Sequence, residues 1–248
     1  MTAIAWDDVL HLLQNGMVEI EGLLPWSSNY AFLVRVCDGP VELGAVYKPQ
    51  RGERPLWDFP QGTLCRREQA AFVVSRALGW SIVPPTVLRD AQHGLGTIQF
   101  YVDHDPARHY FTIEGDAAFR PQLQRIVLFD ILINNADRKA GHVLLQESDE
   151  EDVPHLWGID HGIGFHVDPK LRTVIWEFGG TPVPEELRAD LTALRARLED
   201  ATDETTRVLA GLLSMPEMEA LRLRLNRLID RPRFPQPGAG RHYPWPPV

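Results

Sequence analysis

The stretch "NNADRKAGHVLL", residues 134–145, gathers two amides, an aspartate, two cations, a glycine and a histidine ahead of an apolar run. It follows "PQLQRIVLFDILINN", whose apolar residues recur at helical spacing and whose proline stands where a first helical turn tolerates one. The polar loop therefore hangs between a helix and a strand, with Asp137 as its candidate base. A carboxylate in such a loop is common, so the chain on either side has to decide its meaning.

Upstream, "DDVLHLLQN" reads as a helix that stops at Gly16, a residue suited to a left-handed C-cap. "MVEIEGLL", "NYAFLVRV" and "VELGAVYK" are rich in alternating, β-branched and aromatic residues. With a loop "PWSSN" and a tight turn "CDGP" between them, they predict three antiparallel strands and put Lys48 at the end of the third. "TLCRREQAAFVVSRALG" reads as a helix with Thr63 as N-cap and Gly79 as its stop. "VPPTVLR" and "GTIQFYV" add two strands before the polar connector "DHDPARHY".

Downstream come an acidic turn "ESDEED", read as a solvated hairpin tip, and the strand "LWGID". After the "PVP" break, Leu187, Leu191, Leu194 and Leu198 mark one helical face, and "SMPE" fits a capping box from Ser214 to Glu217 ahead of a last helix. The expected fold is α+β and two-lobed: an antiparallel-sheet N-lobe with one long helix over 1–103 and a mainly helical C-lobe over 104–230. Residues 231–248, "RPRFPQPGAGRHYPWPPV", are dense in Pro and Gly and contain no acid. That segment is expected to be extended, whether disordered, docked on the body or serving as a ligand for a protein partner.

Composition bounds the partners. The chain has 248 residues, 44% of them hydrophobic and 24% charged, which is ordinary for a globular protein. A formal net charge of -9 argues against nucleic acid and against an anionic membrane surface. "MTAIAWDDVLHLLQ" has acids where a signal peptide carries cations, and no apolar run approaches the roughly 18 residues of a membrane span. A cytoplasmic protein with no integral membrane segment is expected. Cys37 and Cys65 lack pairing or metal-ligand spacing. Of the 25 basic residues only Lys48, Lys139 and Lys170 are lysines, and each invites a reason why arginine would not serve.

Taken singly these residues say little; their order says more. Phosphoryl transfer needs a cation on the nucleotide phosphates, an acid to hold it, a linker presenting backbone groups to adenine, a base for the acceptor hydroxyl and metal ligands. Lys48 at a strand end, Glu68 on the next helix, "QFYV" at the end of the lobe, Asp137 after a helix and Asp160 after a later strand follow that order. Asp137, Arg138 and Lys139 form the candidate catalytic group, the two cations favouring an ionised carboxylate. Asn135 is expected to brace the loop or share metal duty, and Asp130 to be structural.

The chain resembles the phosphatidylinositol 3- and 4-kinase branch of protein-kinase-like folds, most closely the type II phosphatidylinositol 4-kinases, with an actinobacterial subgroup as its expected place. The resemblance spans roughly residues 17 to 180 and rests on "AVYKPQRGERP", "REQAAFVVSRALGWSIVPPT", "GTIQFYVD", "LFDILINNADR" and "GIDHGIGF". It implies ATP with Mg2+ or Mn2+, a phosphate-covering loop at Ser27, Ser28 and Asn29, and an adenine-contacting hinge at Gln99, Phe100, Tyr101 and Val102. It also implies metal ligation by Asp160 and by the position that His142 occupies.

Two departures matter. The lipid-modified, cysteine-rich insertion of the type II enzymes is replaced by the short "ERPLWDFPQGTLC", which weakens the case for a lipid acceptor relative to a protein one. The family's metal-binding Asn is His142 here, and imidazole suits manganese or zinc better than magnesium. Either His142 only positions the loop, or it ligates a metal, or transfer is lost and nucleotide binding kept. Lys139 lies two residues beyond the base, as in the Asp-x-Lys pattern of Ser/Thr protein kinases, where it would offset charge on the migrating phosphoryl group. Lys170 and Arg172 fall in the activation-loop position, "HVDPKLRTVIWEFGG". The expected function is an ATP- and metal-dependent phosphotransferase to a hydroxyl on a protein, lipid or small molecule. The alternatives are a nucleotide-binding pseudokinase acting as an interaction module and an AMP transferase.

Overall fold

Helix α1 (Trp6–Asn15) turns Val9, Leu12 and Leu13 inward. In the computed structural model, which describes residues 6–24, 29–147 and 153–248, it covers one face of a five-stranded antiparallel sheet. The strands are β1 (Met17–Leu23), β2 (Phe32–Asp38), β3 (Val41–Pro49), β4 (Thr86–Ala91) and β5 (Gly94–Phe100), in the spatial order β1-β2-β3-β5-β4. Alternation divides the faces: Ala45, Tyr47 and Ile98 join Val34 and Val36 against α1, so Val46, Lys48 and their partners Gln99 and Thr97 take the other face. Gly16 departs from expectation, because its φ is not left-handed. A Cβ there would come within 2.7 Å of Val36 and 2.8 Å of the Leu12 carbonyl, so close packing is what demands glycine.

Helix α2 (Leu64–Leu78) ends as expected at Gly79, which adopts φ 68 and donates its N–H to the carbonyls of Arg76 and Ser75. Thr63 stands at the expected N-cap position, but its side chain makes no capping bond. The Thr63 hydroxyl bonds the Pro60 carbonyl, while the Glu53 carboxylate from the preceding loop accepts the N–H groups of Leu64 (3.1 Å) and Cys65 (2.8 Å). Ala70, Ala71, Val74 and Leu78 pack into the core of the C-terminal half, so α2 spans the two halves rather than belonging to the sheet alone.

The C-terminal half contains α3 (Tyr110–Ile113), α4 (Arg120–Ile133), the hairpin β6 (Val143–Gln146) and β7 (His155–Gly158), then α5 (Glu185–Glu199), α6 (Glu204–Leu212) and α7 (Met215–Asp230). Leu187, Leu191, Leu194 and Leu198 are all buried, as their spacing predicts. Glu217 accepts from the Ser214 N–H and hydroxyl at 2.8 Å, the predicted cap of α7. The short α3 and the separate α6 are not legible in the periodicity; α6 is set by Asp203, which caps the Thr205 N–H at 2.7 Å. Residues 231–248 dock on the body: Phe234 is buried against Phe178, and it exchanges backbone hydrogen bonds with Gly180 and Thr181. The acidic run at 148–152 and the phosphate-loop candidates Ser27 and Ser28 lie outside the described residues. Among the described residues no helix is long and apolar enough to cross a membrane.

Candidate active site

The sheet face opposite α1 carries Lys48 into a cleft of about 240 Å³, lined also by Glu68, Asp137, Lys139 and Asp160. The Lys48 ammonium lies 2.9 Å from Glu68 Oε1 and 3.1 Å from Asp160 Oδ1. Burial alone would lower the Lys48 pKa, but the two carboxylates outweigh it and raise it, so the group stays cationic. Lys48 in turn holds Asp160 far below the usual carboxylate range, whereas burial pushes Glu68 up against the pull of the same ammonium. Asp160 sits at φ 61, a left-handed conformation that a residue with a Cβ adopts at a cost. The bond from the Ile159 N–H to the His142 carbonyl, 3.0 Å, ties this strained turn to the loop 134–142.

That loop begins where Asn134 ends α4 in a left-handed cap, φ 56. Its carboxamide donates to the carbonyls of His166 (2.9 Å) and Asp168 (2.7 Å) and accepts the Lys170 N–H (2.8 Å), tying the loop to the segment beyond Asp160. Asn135 is fully buried, donating to Asp130 at 2.8 Å and accepting the Asp137 N–H at 3.1 Å, and so braces the loop. Asp137 faces the cleft with Lys139 at 3.4 Å. Burial raises its pKa to about 6 despite Lys139, so desolvation, and not the neighbouring cations, decides its titration.

Arg138 does not join the catalytic group. Its side chain is fully buried and donates to Asp130 Oδ1 and Oδ2 (2.9 Å each), the carbonyls of His142 and Ile159 (3.0 Å each) and His161 Nε2 (2.6 Å). Every donor of the guanidinium is used inside the protein, which makes Arg138 the peg under the loop. The adjacent cation in the sequence points the other way because the extended chain alternates its sides.

His142 sits on a short 3-10 turn, Ala140–His142, with Nε2 3.4 Å from Asp160 Oδ2 and Nδ1 3.5 Å from the Lys139 N–H. Burial pushes its pKa down to about 4, so it is neutral near pH 7. A neutral imidazole beside an ionised carboxylate is a chemically sound pair for a borderline divalent ion, and it fits manganese better than magnesium.

The remaining candidates divide. Asn29 lines the cleft, but its side-chain oxygen accepts the Arg54 N–H at 2.9 Å. Gln99 is buried in β5 and donates to Thr86 at 2.8 Å; Phe100 packs against Trp6. The N–H groups of Phe100 and Tyr101 are taken by Pro85 and Gly44, and the Val102 carbonyl by His104. Cys65 lines the cleft as a protonated thiol, its pKa pushed by burial up to about 12. One contact leaves no motif in the sequence: Asp58 bonds Lys170 at 2.8 Å and its carbonyl meets His166 Nε2 at 2.9 Å, strapping the loop between β3 and α2 to the segment after Asp160.

A sheet with one transverse helix set against a helical half, with a Lys–Glu–Asp cluster between them, defines a protein-kinase-like fold. Solved structures agree on that fold: the Golgi casein kinase has a TM-score of 0.58 at 15% identity, covering 94% of this chain and 80% of its own. The Helicobacter pylori proinflammatory kinase CtkA has a TM-score of 0.53 at 11% identity, covering 86% and 91%. A further structure of the Golgi casein kinase, TM-score 0.57 at 15% identity over 91% of this chain and 74% of its own, has Mn and ADP bound. The chain belongs to the family of Protein Rv2133c of Mycobacterium tuberculosis, to which it is 36% identical over 273 residues, 97% of this chain and 95% of the relative. Phosphatidylinositol 4-kinase gamma 4 of Oryza sativa subsp. japonica is 34% identical over 112 residues, 39% of this chain and 19% of that protein. No protein-family profile matches the chain.

Proposed function

We propose that the chain is an ATP-dependent phosphotransferase that passes a phosphoryl group to a hydroxyl acceptor. The observation that carries this reading is the Lys48 ammonium held between Glu68 and Asp160 in a cleft that also receives Asp137 and Lys139. Lys48 binds nucleotide phosphates, and Glu68 fixes its direction. Asp137, with its pKa raised to about 6, orients the acceptor hydroxyl and accepts its proton near neutral pH. Lys139 offsets charge on the group in transfer. Asp160 and His142 would hold a divalent cation, which supplies charge neutralisation on the phosphates. The manganese and ADP bound to the Golgi casein kinase support that assignment by fold likeness.

Within kinase-like folds, the match to the rice phosphatidylinositol 4-kinase supports placing the chain on that branch, and the mycobacterial relative supports an actinobacterial subgroup. Release of ADP from ATP with magnesium or manganese tests the reading. Lys48→Ala and Asp160→Ala are expected to abolish it in proteins that still unfold cooperatively; turnover surviving in either variant removes the assignment. A second reading is favoured by one contact, the His142 imidazole turned onto Asp160 at 3.4 Å. In a nucleotide-binding protein without transfer, ATP would raise the unfolding temperature while no divalent metal gave ADP.

A further inference from the structure

Residues 242–248 cross the part of the molecule that the proposed reaction depends on. The His242 carbonyl accepts the Thr173 N–H at 3.1 Å and the Trp176 indole N–H at 3.3 Å. The rings of His242 and Tyr243 pack on Trp176 at 5.9 and 6.5 Å, and Pro244 is buried. The Pro247 carbonyl accepts the Ala140 N–H at 2.8 Å. These are two amides of particular kinds. Thr173 is bridged to Arg138 in the parallel sense, the Val174 N–H bonding the Arg138 carbonyl at 3.1 Å, so it is the outer partner of the loop that presents Asp137. Ala140 opens the 3-10 turn that carries His142 to Asp160, and the first N–H groups of such a turn have no partner within it.

With the segment in place Ala140 and Thr173 are both fully buried, so their amides are paired with its carbonyls and shielded from water. The chemistry of the covering segment suits it to satisfying them. Proline at 244, 246 and 247 restricts the unbound chain, and Pro247 contributes an acceptor with no competing donor. No residue of the segment lines the cleft. It touches the walls of the loop and leaves the space in front of Asp137 open.

We propose that residues 242–248 are an intramolecular strap that positions the catalytic loop, fixing Lys139 and His142 through the capped Ala140 amide and joining that loop to the Thr173–Trp176 segment. This rests on the phosphotransferase reading. Displacing a positioned group by an ångström costs rate without costing ground-state binding, so a chain ending at Arg241 is expected to lose about tenfold or more in kcat with its KM for ATP little changed. Amide hydrogen exchange at Ala140 and Thr173 should quicken in the same protein, and a synthetic peptide of residues 239–248 added in trans should restore both. Should the shortened chain fold poorly, the full-length variant with His242→Gly and Tyr243→Gly loosens the grip on Trp176 and should show the same pair of changes. Unchanged or increased turnover on truncation, or unaltered exchange at both amides, overturns the proposal. If the intact chain releases no ADP with any metal, the phosphotransferase reading fails by itself, and exchange at Ala140 and Thr173 still decides whether the strap exists.

Discussion

Two clusters in this molecule each combine carboxylate, basic and histidine side chains and share the loop 134–142, yet they differ in what they leave unspent. Asp130, Arg138 and His161 are fully buried, and all five guanidinium donors of Arg138 have acceptors inside the protein. Lys48, Asp137, Lys139 and Asp160 are partly exposed and line the cleft, and His142 stands behind them against Asp160. Charge satisfied within the protein serves architecture, and charge left over is what the proposed reaction would use. Arg138→Ala is the severest test of that contrast. It strands Asp130 in the interior, and removing one partner of a buried pair costs about 3–5 kcal/mol. Arg138→Lys should recover little, because an ammonium lacks the fork that meets both Asp130 oxygens. Chemical denaturation measures the loss; an Arg138→Ala protein of normal stability but no turnover would return Arg138 to the catalytic group.

Asp137→Asn should behave in the opposite way, losing activity and gaining stability. In its proposed role as proton acceptor Asp137 would be worth about a hundredfold or more in rate. Its ordinary value is 3.8 and its folded value is raised to about 6, mainly by burial. Between these values the native chain binds more protons than the unfolded chain, so this residue's contribution to stability falls as pH rises through that window and the cost persists above it. Removing the carboxylate should therefore stabilise the fold by about 1 kcal/mol at pH 7 and by little near pH 4, once residual solvation is allowed for. Wild-type turnover should decline as pH falls through about 6, with Asp137 protonated below it. Equal destabilisation of Asp137→Asn and Arg138→Ala would erase the distinction between the clusters.

The same contrast explains what the sequence makes legible. Lysine scarcity is informative for two of the three: Lys48 contacts Glu68 and Asp160 and Lys139 contacts Asp137 in the cleft, whereas Lys170 contacts Asp58 outside its lining. Strand alternation and the leucine spacing of α5 carry the architecture, since burial on one face leaves a periodic trace. The pattern misplaces Arg138 because adjacency in sequence says nothing about which way a side chain turns. The roles of Glu53 and Asp58 leave no motif either, since each acts through bonds to residues far along the chain. A cap supplied by Glu53 to α2 has no fixed spacing to search for.

Replacing His142 acts on the ligand-facing cluster alone. Asn supplies a hard oxygen where the imidazole now meets Asp160, so His142→Asn should shift the ratio of magnesium- to manganese-supported turnover toward magnesium by about tenfold. Thermal unfolding should hardly change, since His142 is neutral near pH 7 and its loss strands no charge. An unaltered metal ratio would reduce His142 to a spacer on the Ala140–His142 turn.

The smallest effect belongs to the strap formed by Asp58 and Lys170, which lies between the two classes. Its ion pair is mostly screened from solvent, and burial alone would raise the Asp58 pKa, but the Lys170 bond and charge outweigh burial and lower it. Lys170 also lies over Trp57, whose indole is 93% exposed, 5.4 Å from the ammonium. Such a pair is worth about 1 kcal/mol at most, because long side chains must be ordered and salt weakens what remains. Lys170→Met should therefore lower stability by that amount at low ionic strength and less at high, and Asp58→Asn should match it, since either change dissolves the same contact. The double variant should cost no more than either single one. If the two losses add in full, the pair is not coupled, and the loop between β3 and α2 is held over the cleft by Glu53 and the Phe59–His166 contact instead.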